Sequence, residues 1–268
     1  MVSGQFEVFS ISRIVCLSEG ISQINFKCFY FMIRFFSILL FTLFLFSCKQ
    51  KTELVQAEMK SFNMKIDFRL YSDSTYIFKR IYEFDSIKNE TFEGNFKLLN
   101  DTLICYGDFK FNGFIKNNFI ESNDEYEKYE IINSKINSNS KIDFKRFPTY
   151  TTFRFDKSKE YNRFNETSIP YELTENDLLK IDSILPICMN KTENFEGKQN
   201  ADDYSKQCIA TKNSNGEIEV WVNCACSGIA KESFKYFIGT VHDGGPCFFK
   251  LKINLTKMEC FDVFVNGS

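Results

Sequence analysis

Apolar and polar residues alternate with period two along much of the chain beyond residue 61, the pattern of strands with one buried face. Met64, Ile66, Phe68 and Leu70 alternate with Lys65, Asp67, Arg69 and Tyr71. In the next segment Tyr76, Phe78, Arg80, Tyr82 and Phe84 share a face opposite Ile77, Lys79, Ile81 and Glu83. Gly94 to Ile104 reads as a hairpin turning at Asn100-Asp101, whose side chains can satisfy turn backbone locally. Further strands are expected at 113–121, 126–136, 141–145 and 150–155, separated by Asn and Ser clusters. Short strands in this succession predict an antiparallel meander over 61–165, closed as a barrel or stacked as a sandwich.

The period changes near 166. Leu173-Thr174-Glu175-Asn176-Asp177-Leu178-Leu179 is a helix start, with Thr174 as cap, Asp177 three residues on, and Leu173 placed to staple to Leu178. Leu178, Ile181 and Leu185 share one face, and Pro186 predicts an end or a kink. Strands then follow at 206–212, 217–226, 235–241, from Cys247 to Leu255, and from Cys260 to Val265. A helix followed by a three- to four-stranded antiparallel sheet makes 166–268 an α+β unit. This layout is similar to cystatin-like folds, an architectural analogy that carries no activity. The fold class expected for the whole chain is therefore α+β.

The run 35–46, Phe-Phe-Ser-Ile-Leu-Leu-Phe-Thr-Leu-Phe-Leu-Phe, is apolar and uncharged, with Arg34 before it and Ser47-Cys48 after it. A membrane-crossing helix needs about 20 apolar residues, so this run has the length of a signal-peptide core. Leu45-Phe46-Ser47-Cys48 resembles a lipobox, which implies cleavage before Cys48 and acylation of its sulfur; Phe46 departs from the small or branched residue usual there. Met32-Ile33-Arg34 is the natural start of such a leader, so 1–31 is read as a non-native upstream extension and 32–47 as the signal peptide. Residues 48–60 are expected to be a polar tether, partly helical through Leu54–Met59. Acidic residues after the lipidated cysteine mark surface export in some envelopes; Lys49-Gln50-Lys51 stands here instead, which favours a periplasm-facing position.

Composition adds exclusions. The 268 residues are 44% hydrophobic and 25% charged with a formal net charge of −2, a globular balance. Charges of both signs are interspersed with no basic stripe, which argues against a nucleic-acid partner. The single histidine, His242, leaves few routes to general acid–base catalysis near neutral pH. Asp243-Gly244-Gly245 lacks the lysine and helix start of a phosphate loop, and no cofactor signature is present.

Seven cysteines follow Cys48, six of them within 188–260. In an oxidising envelope such clustering predicts disulfides, although six cysteines allow 15 connectivities. Cys224 and Cys226 point to one sheet face, and Cys247, just past a Gly-Gly turn, is the preferred partner for one of them. A zinc site of Cys224, Cys226, Cys247 and His242 has suitable ligand types, but C-x-C lacks the usual knuckle spacing. Cys247 with His242 as nucleophile and base is set against a plain solvent-exposed turn histidine. Trp221, opposite the cysteine row, is read as a packing residue rather than a binding aromatic.

Trp221-Val222-Asn223-Cys224-Ala225-Cys226, Asp243-Gly244-Gly245-Pro246-Cys247-Phe248-Phe249, Lys252-Ile253-Asn254-Leu255-Thr256 and Phe264-Val265-Asn266-Gly267 resemble small lipoproteins of Bacteroidota-type bacteria over the last hundred residues. The resemblance implies an envelope location and no particular activity. The expected function is a non-enzymatic envelope protein held to a membrane by lipid, which binds a protein or small ligand. The alternative is a thiol- or metal-handling protein using the C-terminal cysteines.

Overall fold

The computed structural model describes Arg34 and residues 51–267, less 62, 84–86, 125, 138–139, 161–162, 193–194, 196–199, 231 and 240. The leader run, Ser47 and Cys48 lie outside the described residues, and among those described no helix is long and apolar enough to cross a membrane.

Alternation begins at 53, inside the segment expected to be a partly helical tether. β1 (Glu53–Ser61) sends Val55, Ala57 and Met59 inward. The strands β2 (Met64–Tyr71), β3 (Thr75–Glu83), β4 (Ile87–Leu99), β5 (Thr102–Gly107), β6 (Phe111–Lys116), β7 (Phe119–Ser122) and β8 (Lys128–Ser134) follow. Each is antiparallel to its predecessor, and β8 returns to β1 to close an eight-stranded barrel. A barrel of eight strands is just wide enough for side chains to fill. Phe68 occupies the middle, edge-on to Tyr76, Phe78, Phe111 and Tyr129 at ring-centroid distances of 5.3–6.1 Å. The Tyr76 hydroxyl accepts from the Phe109 amide (3.0 Å) and donates to its carbonyl (2.5 Å), fixing the β5–β6 turn over one end.

The Asn100-Asp101 turn lies where the sequence pattern placed it, with Asn100 at φ 55°. The single strand expected at 113–121 is instead two, β6 and β7. They are separated by Asn117 and Asn118 at φ 51° and 63°, the left-handed pair that a two-residue hairpin requires. Gly113 faces the Glu121 carbonyl and the Phe111 ring so closely that a Cβ there would overlap both. Residues 141–145 form bends and a turn, not a strand.

The second sheet comprises β9 (Tyr150–Phe153), β10 (Ile169–Pro170), β11 (Tyr204–Lys212), β12 (Ile218–Cys226), β13 (Phe248–Asn254) and β14 (Glu259–Val265). Its order is β10-β11-β12-β13-β14, with β9 parallel to β11 on the edge that β10 also uses. α1 (Glu175–Asn190) covers one face. Thr174 and Asp177 form the capping box, with the Thr174 amide donating to Asp177 Oδ2 at 3.0 Å. α1 runs on through Pro186, whose ring is exposed, because Leu185, Cys188 and Met189 remain buried on its inner face.

This arrangement overturns the α+β, cystatin-like expectation. The protein is mainly β, a closed barrel plus a six-stranded sheet, and α1 is the one helix longer than a single turn among the described residues. Two long-range choices produce the difference. The sheet takes β9 and β10 from chain preceding the helix. The segment expected as a strand at 235–241 begins inside a helical turn, Ser233–Tyr236, preceded by another at Ser227–Ala230. Fully buried Gln207 holds this segment down, donating to the carbonyls of Phe234 and Phe237 at 2.7 Å each while accepting from Asn223 at 2.8 Å. Lys51–Ser268, barrel and sheet together, clusters as one compact unit.

Candidate functional site

Two disulfides brace the second sheet: Cys226–Cys247 with Cα atoms 4.9 Å apart, and Cys188–Cys260 with Cα atoms 6.1 Å apart. Register selects the first. Ala225 pairs with Phe248, so the next positions along each strand, 226 and 247, face each other at the sheet end. Cys224, also a disulfide candidate, lies deeper, opposite Lys206 and Phe249, and is a buried free thiol like Cys105 and Cys208. The Cys188–Cys260 bridge was not among the sequence expectations, which placed an end or a kink of the helix at Pro186, two residues before Cys188. Continuing the stripe Leu178, Ile181, Leu185 by three residues reaches Cys188.

The bridges remove Cys226 and Cys247 from any thiolate ligand set, and no group of three or more metal-capable side chains occurs among the described residues. Burial pushes Cys105 and Cys208 up to about 12 and raises Cys224 well above its ordinary value, so these thiols stay protonated and unreactive at neutral pH. His242 is exposed, and Cys247, its candidate partner, is bonded to Cys226. Trp221 is 5% exposed and packs with Phe153, Phe155, Phe164 and Ile209, with the Arg163 guanidinium 4.1 Å above its ring.

A concave site lies at the seam between barrel and sheet, where no sequence motif pointed. A cleft of about 410 Å³ is lined from the barrel by Asn100, Asp101, Thr102, Phe114, Lys116, Asn117 and Glu121, and from the sheet side by Thr152, Phe153, Arg154, Tyr171, Glu172 and Leu173. Its lining residue Glu121 belongs to a buried ion pair. Lys128, 2% exposed, places Nζ 3.6 Å from Glu121 Oε2, donates to the Thr152 carbonyl, and lies 4.6 Å from the Phe153 ring centroid. The other Glu121 oxygen accepts from the Arg154 amide at 2.7 Å. One carboxylate thus fixes the chain after β9 onto the barrel. Burial lowers the Lys128 pKa against the pull of Glu121.

Truncating Lys128 to alanine would strand Glu121 without its cation, so Lys128→Ala should lose about 3–5 kcal/mol of stability. The double variant Lys128→Met with Glu121→Gln, which leaves no lone charge and keeps an acceptor for Arg154, should recover most of that loss. Urea unfolding of both variants measures the difference.

On the cleft wall, Glu172 is shared by Lys116 at 2.7 Å and Lys141 at 2.8 Å, which hold its carboxyl below the usual range against the effect of burial. The Arg154 guanidinium lies over the Phe114 ring, 4.0 Å from its centroid, and no carboxylate pairs with it among the described residues. A second cleft of about 680 Å³ lies by Phe119, Tyr150, Lys206 and Tyr236. Buried Lys206 is matched there by Asp182 at 3.6 Å, and half-exposed Lys235 by Glu130 at 2.5 Å. The smaller cleft is the better ligand site because a flat cation there remains without a partner.

Neither cleft was legible in the sequence, since each is assembled from turns and strand ends far apart along the chain. A faint signal existed in the X-Asn-Asp-X and X-Asn-Asn-X turns, which lie at the same end of an up-and-down barrel and supply part of the lining. In comparisons with protein-family models, curated proteins and solved structures, nothing matches the chain.

Proposed function

We propose that the chain is a lipid-anchored protein of a bacterial envelope, facing the periplasm, that binds a small ligand in the seam cleft and performs no chemistry on it. The Bacteroidota-type lipoprotein resemblance belongs to the same reading. The observation that carries the binding role is the 410 Å³ cleft, whose lining carboxylate Glu121 is held in place by buried Lys128 and the Arg154 amide. Small-molecule sites combine apolar walls with a few fixed polar groups, and this open cleft has both. Support for an oxidising compartment comes from the two disulfides within one sheet. Support for the anchor comes from the short apolar run ending at Cys48. A thiol- or metal-handling role has less support, because the free cysteines are buried thiols with raised pKa values.

Anchoring is tested by fractionation and by the mass of the N-terminal peptide. The wild-type protein should sediment with membranes and carry acyl chains on Cys48, and Cys48→Ala should do neither. Binding is tested by a thermal-shift screen of envelope small molecules. A ligand at a hundredfold excess over its Kd should stabilise by about 2.7 kcal/mol. Thr102→Trp, which fills the cleft, should abolish that gain. Finding no stabilising ligand, or one indifferent to Thr102→Trp, would remove the cleft from the reading.

A further inference from the structure

We infer that the seam cleft takes a phosphate ester, with its phosphoryl oxygens on Arg154 and Lys116 and its organic part against Phe114 and Leu173. The inference rests on the proposed binding role and names its ligand class. The charges of the cleft carry it. Glu121 is matched one to one by buried Lys128. Glu172 faces two lysines, Lys116 and Lys141, so that trio retains one positive charge. Arg154 adds a second, without an acidic partner among the described residues. Asp101 is the one other acidic side chain of the lining; it is exposed at the cleft mouth.

Counted against Asp101, these cations leave the hollow one net positive charge and an arginine fork with no acidic partner among the described residues, which match a phosphate group with its negative charge and several acceptor oxygens. The exposed Arg154 guanidinium lies over the Phe114 ring, a platform on which its fork can face a ligand. Phe114, Phe153 and Leu173 give the walls an apolar share, which suits an esterified phosphate better than a bare ion. The cleft also opens at the barrel end where β1 starts, beside the turns at 100–101 and 117–118. The same chemistry can therefore arrive as a soluble ester or as a phospholipid headgroup.

Arginine footprinting on the full-length protein in phosphatidylcholine vesicles tests this. Phenylglyoxal modification is followed by peptide mass at Arg154, with Arg146 and Arg163 as internal references. Glycerol 3-phosphate at about tenfold over its Kd should slow modification of Arg154 about tenfold while leaving the references unchanged. If the ester arrives on lipid, replacing part of the phosphatidylcholine by phosphatidylglycerol should give the same selective protection while glycerol 3-phosphate gives none. Lys116→Gln should weaken either protection. Equal modification of Arg154 under all three conditions would overturn the inference. A neutral ligand whose stabilising effect is lost in Thr102→Trp, in the absence of any phosphate protection, would also overturn it while leaving the binding role standing.

Discussion

Replacing Cys188 and Cys260 together by alanine is expected to cost about 4 kcal/mol of folding stability, the largest loss from any single bridge in this protein. The two residues are 72 apart in sequence, against 21 for Cys226 and Cys247. In the chain-entropy account a cross-link stabilises by limiting the unfolded ensemble, and its effect grows with the logarithm of the loop. The shorter bridge is then worth about 3 kcal/mol. The long bridge also joins the C-terminal half of α1 to the edge strand β14, whose hydrogen-bonded partner within the sheet is β13 alone. Cys188 is 1% exposed, so alanine there also leaves a small void in the core under the helix. Urea titration of both double-alanine variants reads the two values. The prediction fails if the loss at 188–260 is below about 1 kcal/mol, or if it is smaller than the loss at 226–247.

Phe68→Ala should destabilise by about 3–5 kcal/mol. The ring is fully buried at the centre of the barrel and makes edge contacts with four other aromatic side chains. Those neighbours stand on β2's partner strand β3, on β6 across the barrel and on β8. A closed barrel resists collapse into the vacated volume because every strand is hydrogen-bonded on both sides, so the cavity should persist. Phe68→Leu, which retains most of the volume, should cost under about 1.5 kcal/mol. The same unfolding measurement distinguishes them. Similar small losses for both variants would mean that the barrel centre relaxes freely.

Much of the barrel wall was legible as alternation. Ile66, Phe68 and Leu70 point inward and Lys65 and Arg69 outward, as their parity requires. In Leu54–Met59 the same rule competes with a helical reading, although Val55, Ala57 and Met59 already alternate. The polar Lys116-Asn117-Asn118 stretch between Phe114-Ile115 and Phe119-Ile120 carried a turn signal that a single strand over 113–121 ignores. The candidate site was almost wholly illegible. Arg154, Glu172 and Lys116 become neighbours only after the barrel closes and β9 joins β11.

By itself, then, the sequence determined which residues face inward on a strand, where α1 is capped, and that thiols crowd the C-terminal sheet. These are local matters, set by side-chain period and by backbone groups a few residues apart. Tertiary structure alone decided that eight strands close on themselves, that chain from before the helix enters the second sheet, which cysteines meet, and which carboxylates find cations. Such outcomes depend on register and loop closure between segments tens of residues apart, where many pairings satisfy the same local pattern and only simultaneous packing of the whole selects one.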